Sequence, residues 1–399
     1  MLSLESRPYI DASVPVLREH GVTITKTFYH NMFSEHPELT NIFNMGNQAN
    51  GSQQQSLAAA VFAYAANYAN PDALAPVVSR IVHKHVSVGI RAEHYPIVGH
   101  HLLGAIQQTL GEAATPPLIS AWGEAYGLLA NALIAEEKNL YEDLCVQPGE
   151  LKPMRVVAIE PQSELVTSFV LQPVDEKQNL RFTPGQYISV AVDFPNGQRQ
   201  LRQYSLSDAP GKETLRISVK REPAGATTPA GRVSNWLHDN LKIEDILEVG
   251  PPCGDFTPDT EGDQPIVLLS AGIGLTPMIS ALNRIAEVNP TRRVIFGHAT
   301  RNRTHHSHRD DLEAALKVMP NLTVATFYEQ CDATSEENIY PGYLTLDSLP
   351  SWEYLNTNVY MCGPLAFMQM QWKNLVQAGV PVSHLHREVF GPELLDNLL

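Results

Sequence analysis

The stretch IVHKHVSVGI, residues 81–90, carries two histidines two positions apart in apolar surroundings. Indexed on a helix, Leu74, Val77, Val78, Ile81, His85 and Val88 share one stripe. That puts His85 on the buried side and His83 about 200° away around the axis. A histidine in that position is either a hydrogen-bonded core residue or a metal ligand. Neighbouring segments repeat the pattern of a polar residue on an apolar stripe: Tyr29 with Val22 and Phe33, Gln53 with Leu57, Val61 and Tyr64, Tyr95 with Val98, Leu102 and Ile106, and Glu137 with Leu133 and Tyr126. Each alone reads as a satisfied core hydrogen bond, a helix-end residue or, for tyrosine, a partly exposed ring, because buried polar groups are costly unless paired. Five together point to convergence on one polar or metal-containing object. The other histidines of this half read as surface or helix-end residues.

A second group of chemistry-bearing residues follows. RQYSLSD, 202–208, places a guanidinium at Arg202, an amide at Gln203, an aromatic ring at Tyr204 and a hydroxyl at Ser205, a set suited to pyrophosphate, a flavin ring and its polar atoms. PGQYISV precedes it with Tyr187, and GRVSNWLHD follows, where Val233 and Ser234 open a helix whose free N–H groups can receive a phosphate. A barrel strand of alternating exposure would account for the Arg-x-Tyr-Ser run alone. Further on, LLSAGIGLTPM runs from a buried strand, Ser270 and Ala271 at its end, through Gly272, Ile273 and Gly274 into a helix at Leu275. Thr276 is placed to cap that helix and Pro277 to occupy its first turn. A lone G-x-G is weak evidence and is not a full G-x-G-x-x-G. YMCGP, with Cys362, Gly363 and Pro364 ending a later strand, reinforces it. Cys362 reads as a small side chain near a nicotinamide or as strand packing, not as a nucleophile.

The elements that position these residues are written in two styles. Of 29 prolines, eight lie before residue 145 and 21 after it. The first 144 residues show helical periodicity, and CVQPGELKP, 145–153, fits a linker. From about 153 to 258 the runs RVVAIEP, VTSFVLQP, QYISVAVDF, RQYSLSD, LRISVKRE and DILEVGPP are short and alternating, which predicts an antiparallel β-barrel. From 264 strand and helix patterns alternate, from PIVLLSA with TPMISALNRIAEV to NVYMCG with LAFMQMQWKNLVQAG, which predicts a parallel sheet with crossover helices. The expected organisation is therefore multidomain: an all-α domain over 1–147, an antiparallel β-barrel over 148–259 and an α/β domain over 260–399.

Composition excludes several classes. The 399 residues carry a net charge of −15, which argues against nucleic-acid or anionic-membrane surfaces. The N-terminus does not read as a signal peptide, no apolar run of spanning length is expected, and the chain is expected in the cytoplasm. Four scattered cysteines form no CxxC pair, so no zinc or iron–sulfur motif is expected.

HPELTNIFNM, the glutamines near 53, HKHVSVGIRAEHYPIVGHHLLGAI and ISAWGEAYGLLANALIAEEKNLY together resemble the globin domain of bacterial flavohaemoglobins. The three barrel motifs and the two glycine turns resemble the ferredoxin–NADP-reductase superfamily, so the resemblance spans the chain. It implies a globin of six to seven helices holding haem b, an FAD domain and a nicotinamide-nucleotide domain. His85 then matches the iron ligand, Phe43 an aromatic packed on the haem, Tyr29 and Gln53 the distal donors, and Tyr95 and Glu137 the partners of His85. Glu136, about 100° away, rivals Glu137; the choice rests on the resemblance. REVFGPELL, 387–395, resembles the family's C-terminal segment, with Phe390 on the flavin and Val389, Gly391 and Pro392 shaping that contact. Lys84 and Glu388 are expected near the flavin–haem junction as redox-tuning charges, or else as a solvated pair.

The implied activity is NAD(P)H-dependent nitric oxide dioxygenation: hydride passes to FAD, single electrons pass to haem, and NO and O2 become nitrate. The alternatives are a general flavin–haem reductase of ferric chelates, quinones or lipid hydroperoxides, and an O2 or NO sensor. The implied ligands are NO, O2 and NADH or NADPH; a lipid in the haem pocket is left open, and a monomer is expected. HATRNRTHHSHRD, 298–310, reads either as Arg and His meeting a 2′-phosphate or as a solvated loop.

Overall fold

The computed structural model describes residues 1–43, 48, 51–175, 177–178, 180–225, 229–331 and 337–391. They form two compact units: one comprises Met1–Leu151 with Ala191–Arg202, the other Lys152–Val190 with Gln203–Phe390.

The first unit is helical. Its helices are α1 (Arg7–Glu35), α2 (Ser52–Asn67), α3 (Pro71–Val88), α4 (His94–Leu110) and α5 (Pro116–Asp143), with short 3₁₀ segments at Pro37–Asn41 and Gly111–Ala113. Five α-helices are thus described, against the six to seven that the resemblance implies, and the stretch between α1 and α2 is described only in part. Ile10, Leu17, Ile24, Phe28 and Met32 recur at helical spacing on α1 and pack with Leu102, Ala105 and Ile106 of α4 and Ala121, Trp122 and Ala125 of α5. Full burial of one such side chain contributes about 1.5–3 kcal/mol, so this stripe outweighs the modest helix propensity of the sequence. A smaller cluster of Val82, Tyr95, Ala130 and Leu133 sits where α3, α4 and α5 meet.

Over an 18-residue window of mean hydropathy 1.2, α5 is long and apolar enough to cross a membrane. It nevertheless carries Trp122, Ala125 and Leu133 into the helical core and buries Glu137, as a core helix does. Apolar length alone does not separate the two cases.

In the second half, β1 (Lys152–Pro161), β2 (Val166–Pro173), β3 (Tyr187–Asp193), β4 (Arg199–Ser205), β5 (Leu215–Lys220) and β6 (Ile246–Val249) form a six-stranded sheet in the order β4-β3-β6-β1-β2-β5. The pairings β1–β2, β2–β5 and β1–β6 are antiparallel, and an antiparallel bridge between Leu206 and Ile217 links the two edges of the sheet. Bringing the edges together removes the unpaired rows that would otherwise invite aggregation. α6 (Arg232–Asn240) follows β5. The segment Ala191–Arg202 belongs by its contacts to the helical unit, where the Gln200 side chain donates to the Thr40 carbonyl at 3.2 Å.

The remaining strands, β7 (Ile266–Ala271), β8 (Val294–Thr300), β9 (Leu322–Tyr328), β10 (Ile339–Pro341), β11 (Asn358–Cys362) and β12 (Leu385–Glu388), form a parallel sheet in the order β10-β9-β8-β7-β11-β12. α7 (Leu275–Val288), α8 (Arg309–Val318) and α9 (Leu365–Gln377) cross over between strands. Leu268 and Phe296 face a core completed by Met278, Ile279 and Leu282, while Val267, Leu269 and Ile295 face another with Met361 and Phe367. Burial on both faces explains why these strands read as continuous apolar runs rather than alternating ones.

Candidate functional site

In the helical unit, α3 carries His85, α4 carries Tyr95 and α5 carries Glu137. The three side chains converge as their stripes predict. His85 Nδ1 lies 2.7 Å from Glu137 Oε1 and 3.1 Å from the Tyr95 hydroxyl, and Tyr95 donates to the same carboxylate oxygen. Glu137 is 3% exposed, so its carboxyl has traded water for these two donors. A carboxylate accepts only, which makes Nδ1 the protonated nitrogen and leaves the lone pair on Nε2. That is the arrangement of an imidazole prepared for a metal. Burial, reinforced by the Glu137 hydrogen bond, drives the Tyr95 hydroxyl well above its ordinary pKa, so it remains a donor. Glu137, not Glu136, is the acid that engages His85.

A residue not singled out from the sequence supports this group. Tyr126, on α5, donates to the Tyr95 backbone carbonyl at 2.6 Å. Its ring passes so close to Gly99 that an added Cβ would lie 2.6 Å from Tyr126 Cε1, so the crossing of α4 and α5 needs glycine there. Tyr126 sat on the apolar stripe beside Glu137, and periodicity gave no reason to separate its hydroxyl from its ring.

Tyr29 is buried on α1, with Phe28, Phe33 and Phe43 around its ring at centroid distances of 4.8, 5.7 and 5.8 Å. Burial pushes its pKa up to about 12, against the opposing hydrogen bonds of the Gln53 and Gln48 side chains. Gln53 was expected; Gln48 was not, its only signal being the polar run NMGNQANG. Tyr29, Gln53 and Phe43 thus belong to one polar-centred, aromatic-walled cluster. His83 is half-buried and Lys84 exposed on α3. The expectation that the remaining histidines are superficial is wrong for His101, which is 4% exposed on α4. Its position on an apolar helix face, between Leu102 and Gly104 on one side and Gly99 on the other, was the available clue.

In the second unit, Tyr187 exchanges backbone hydrogen bonds with Cys253, its N–H donating at 2.8 Å. Gln203 donates to the Ser189 hydroxyl at 2.9 Å. Tyr204 is half-buried, and Ser205 is 5% exposed with its Oγ lacking a hydrogen-bond partner. An unpaired buried hydroxyl costs about 1–3 kcal/mol, so Ser205 fits a polar ligand that completes it. Val233 and Ser234 lie in the first turn of α6, as expected, with Ser234 Oγ donating to the Gly231 carbonyl at 3.3 Å. Arg202, grouped with the helical unit, donates to the Leu201 carbonyl at 2.7 Å and to Gln200 Oε1 at 3.2 Å.

The two glycine turns meet. β7 and β11 are neighbours, with Ser270 opposite Cys362, and they flank the point where strand order reverses. Ligands of open parallel sheets bind at such a crevice, beyond the carboxyl ends of the strands. Gly272–Gly274 form a 3₁₀ turn after β7, with Ala271 and Ile273 around it, and Gly272 has φ +55°. A Cβ on Gly274 would come within 2.3 Å of the Cys362 carbonyl oxygen, and one on Gly363 within 3.0 Å of the Ala271 Cβ. Side chains there would push the turns apart. Pro364 caps α9. One detail is corrected: α7 starts at Leu275 with Gly274 at its N-cap, and the Thr276 hydroxyl donates back to the Ile273 carbonyl at 3.1 Å instead of capping an N–H.

Cys362 is fully buried, and burial, with the Glu388 carboxylate, holds its thiol well above the ordinary range. A buried thiol of raised pKa is a poor nucleophile. Glu388 pairs opposite Cys362 and accepts from the Val389 N–H at 2.9 Å. Val389 is half-buried, while Phe390 is 47% exposed and Gly391 exposed beside it. Pro392 lies outside the described residues. Lys84 belongs to the helical unit and Glu388 to the second unit.

The segment 298–310 is not simply a solvated loop: His298, His306 and His308 are buried. Arg301, Arg303, Thr304, Arg309 and Asp310 are its exposed members.

Three family models match the chain: Globin over residues 26–133, Oxidoreductase FAD-binding domain over 153–257 and Oxidoreductase NAD-binding domain over 268–373. The flavohemoprotein of Rhizobium meliloti is 44% identical, covering 99% of both chains, and that of Bordetella parapertussis 46% identical, covering 98% of this chain and 99% of the relative. Among solved structures, the flavohemoglobin of Malassezia yamatoensis with bound FAD and heme superposes with a TM-score of 0.85 at 29% identity, over 98% of this chain and 100% of that one. The FAD/NAD binding domain of nitric oxide dioxygenase from Vibrio cholerae matches 60% of this chain and 99% of that one, with a TM-score of 0.56 and 34% identity. A globin whose histidine is presented by a carboxylate, followed by FAD-binding and NAD-binding oxidoreductase modules, identifies the chain as a member of the flavohemoprotein family.

Proposed function

We propose that this flavohemoprotein is an NAD(P)H-dependent nitric oxide dioxygenase, with a haem domain over 1–147, an FAD domain over 148–259 and a nicotinamide-nucleotide domain over 260–399. The observation that carries the reading is the Glu137–His85 pair at 2.7 Å, set in the same helical unit as the buried Tyr29 donor. The name of the Vibrio cholerae relative, nitric oxide dioxygenase, supports it. Haem, when bound, would supply an iron that takes up O2 and electrons, and FAD would turn the electron pair of a hydride into single electrons.

His85 would hold the iron through Nε2. Glu137 and Tyr95 fix the ring and its tautomer, and the acceptor on Nδ1 raises the basicity of Nε2. Phe43 would pack on the haem. Tyr29, kept protonated by burial, and Gln53 provide donors for a ligand carrying partial negative charge. In the FAD domain, Tyr187 and Tyr204 offer ring faces, Arg202 a cation, Gln203 and Ser205 polar atoms, and the N–H groups at Val233 and Ser234 a phosphate seat. Val389, Phe390, Gly391 and Pro392 would shape the flavin contact. The turns Ser270–Thr276 and Cys362–Pro364 would admit the nicotinamide nucleotide against bare backbone. Lys84 and Glu388 would tune the potentials.

Aerobic NO consumption with NADH, with nitrate measured as product, tests this reading beside His85→Ala. We expect rapid nitrate formation by the wild type and a fall of about 100-fold or more in the variant, since loss of a ligand should exceed the 10–100-fold typical of its supporting residues. NADH oxidation that ignores NO and survives loss of haem would instead identify a general flavin reductase.

A further inference from the structure

Glu35 is the last residue of α1, and His100 and His101 lie on α4, which packs along α1. One ligand atom from each of the three, a carboxylate oxygen and two ring nitrogens, lies within 4.8 Å of the others. His101 decides what this cluster means. Its side chain is 4% exposed, and its Nε2 is buried without a hydrogen-bond partner. The nearest acid is Glu35, whose Oε2 stands 3.9 Å from that nitrogen, beyond hydrogen-bond reach. Glu35 and His100 are exposed, so the open side of the cluster faces solvent. The His100 ring stands edge-on to His101 at 5.2 Å, and His36 at 5.6 Å, with His36 Nδ1 directed to Glu38 at 3.3 Å.

A buried imidazole nitrogen aimed at a carboxylate it does not reach leaves room for a small ion between them. We infer that Glu35, His100 and His101 form a binding site for a divalent transition cation, separate from the His85 pocket, that ties the end of α1 to α4. Two imidazoles and one carboxylate select zinc, nickel or copper over magnesium and calcium, which prefer all-oxygen sites. Three protein ligands leave a fourth position for water. Bond lengths of about 2.0–2.2 Å require the donors to close toward one another by roughly 1 Å, within reach of rotamer changes in the exposed Glu35 and His100.

The test is zinc titration of the full-length holoprotein by calorimetry, with haem bound so that His85 is occupied. The expected result is one saturable equivalent, zinc-edge absorption fine structure showing two imidazole ligands, and a higher melting temperature in zinc. His100→Ala and Glu35→Gln, both at exposed positions, should each weaken binding at least tenfold and abolish the thermal increment, while His20→Ala should leave both unchanged. The inference is overturned if no saturable equivalent binds. It is equally overturned if zinc survives the Glu35→Gln/His100→Ala double substitution, or if His36→Ala abolishes binding while Glu35→Gln does not, since the ion would then sit on His36 and Glu38.

Discussion

His85 and His308 are both imidazoles held by a carboxylate, and the two pairs differ by only 0.1 Å: 2.7 Å from His85 Nδ1 to Glu137 and 2.8 Å from His308 Nδ1 to Asp311. They differ in the other nitrogen. His308 Nε2 is bonded to the Ser218 hydroxyl at 2.9 Å, and its side chain is completely buried. His85 retains a 32% exposed side chain, with Nδ1 as its engaged nitrogen. Both nitrogens spent inside the protein make a structural brace. One nitrogen spent and one presented leave the second able to bind a metal. The acid beside a histidine therefore says little about function until the second nitrogen is located.

Asp311→Asn separates the two roles most strongly. Asp311 accepts from Arg216 and Asn283 at 2.8 Å through one oxygen and from His308 through the other, with its side chain 12% exposed. Burial opposes its charge, but His308 and Arg216 hold its pKa well below the usual carboxylate range. An amide keeps only one accepting oxygen, so either His308 or the Arg216–Asn283 pair loses its acceptor, and the Arg216 cation, also 12% exposed, loses its counter-charge. We expect a loss of about 3–5 kcal/mol in unfolding free energy of the reductase half, read as a lower urea midpoint, with turnover per folded molecule unchanged. A stable variant with impaired turnover would reverse the assignment.

The same contrast predicts a pH dependence. Burial lowers the pKa of His298, His306 and His308, that of His306 to about 4. For His306 the unfolded chain takes up its proton near pH 6.5 and the folded chain only near 4, so the unfolded state binds more protons in between, and His298 and His308 act in the same direction. Stability is therefore full above about pH 6.5, falls as the pH drops from 6.5 toward 4, and levels off below. For His306 alone the loss is on the order of 3 kcal/mol. Hydrogen exchange at the β8 amides should accelerate between pH 7 and 5. His306→Phe should flatten that slope, and an unchanged slope would show that another group carries it.

Glu137→Gln sharpens the functional side. The amide can still orient His85 but withdraws the charge that raises Nε2 basicity. By analogy with other supporting residues of metal ligands, a 10–100-fold fall in haem affinity or NO turnover is expected, with unfolding nearly unaffected. An equal effect from Glu136→Gln would give the role to the wrong neighbour.

Much of this contrast was visible in the sequence on one side and hidden on the other. His85, Tyr95 and Glu137 each sit on an apolar helical stripe, and periodicity reports which face of a helix is buried. It does not report what lies opposite, so Tyr126, which supports the His85 group, and Gln48, which reaches Tyr29, were missed. The parallel sheet and its two glycine turns were legible because strands buried on both faces are continuously apolar and because only glycine fits at 274, where a Cβ would lie 2.3 Å from the Cys362 carbonyl oxygen. The segment 298–310 failed for the opposite reason. Its histidines have no period, and dense Arg and His imitate a solvated loop. Their burial depends on partners distant in sequence, Ser270, Ser218 and Tyr328. Even its backbone is unusual, with His308 at φ +58°, a conformation histidine tolerates better than most residues.

Tyr126→Phe gives the smallest expected effect and the finest test of how the ligand is held. The hydroxyl touches neither His85 nor Glu137; it donates to the Tyr95 backbone carbonyl at 2.6 Å. Removing it leaves the ring against Gly99 and costs one hydrogen bond, about 1 kcal/mol. If Tyr95 is positioned chiefly by its own bond to Glu137, turnover should hold within about twofold while the melting temperature falls by a few degrees, since about 1 kcal/mol shifts such midpoints by that much. If turnover falls as far as it does in Glu137→Gln, the backbone of α4 at Tyr95 is what sets the imidazole. The presented nitrogen of His85 would then depend on helix packing as much as on its acid.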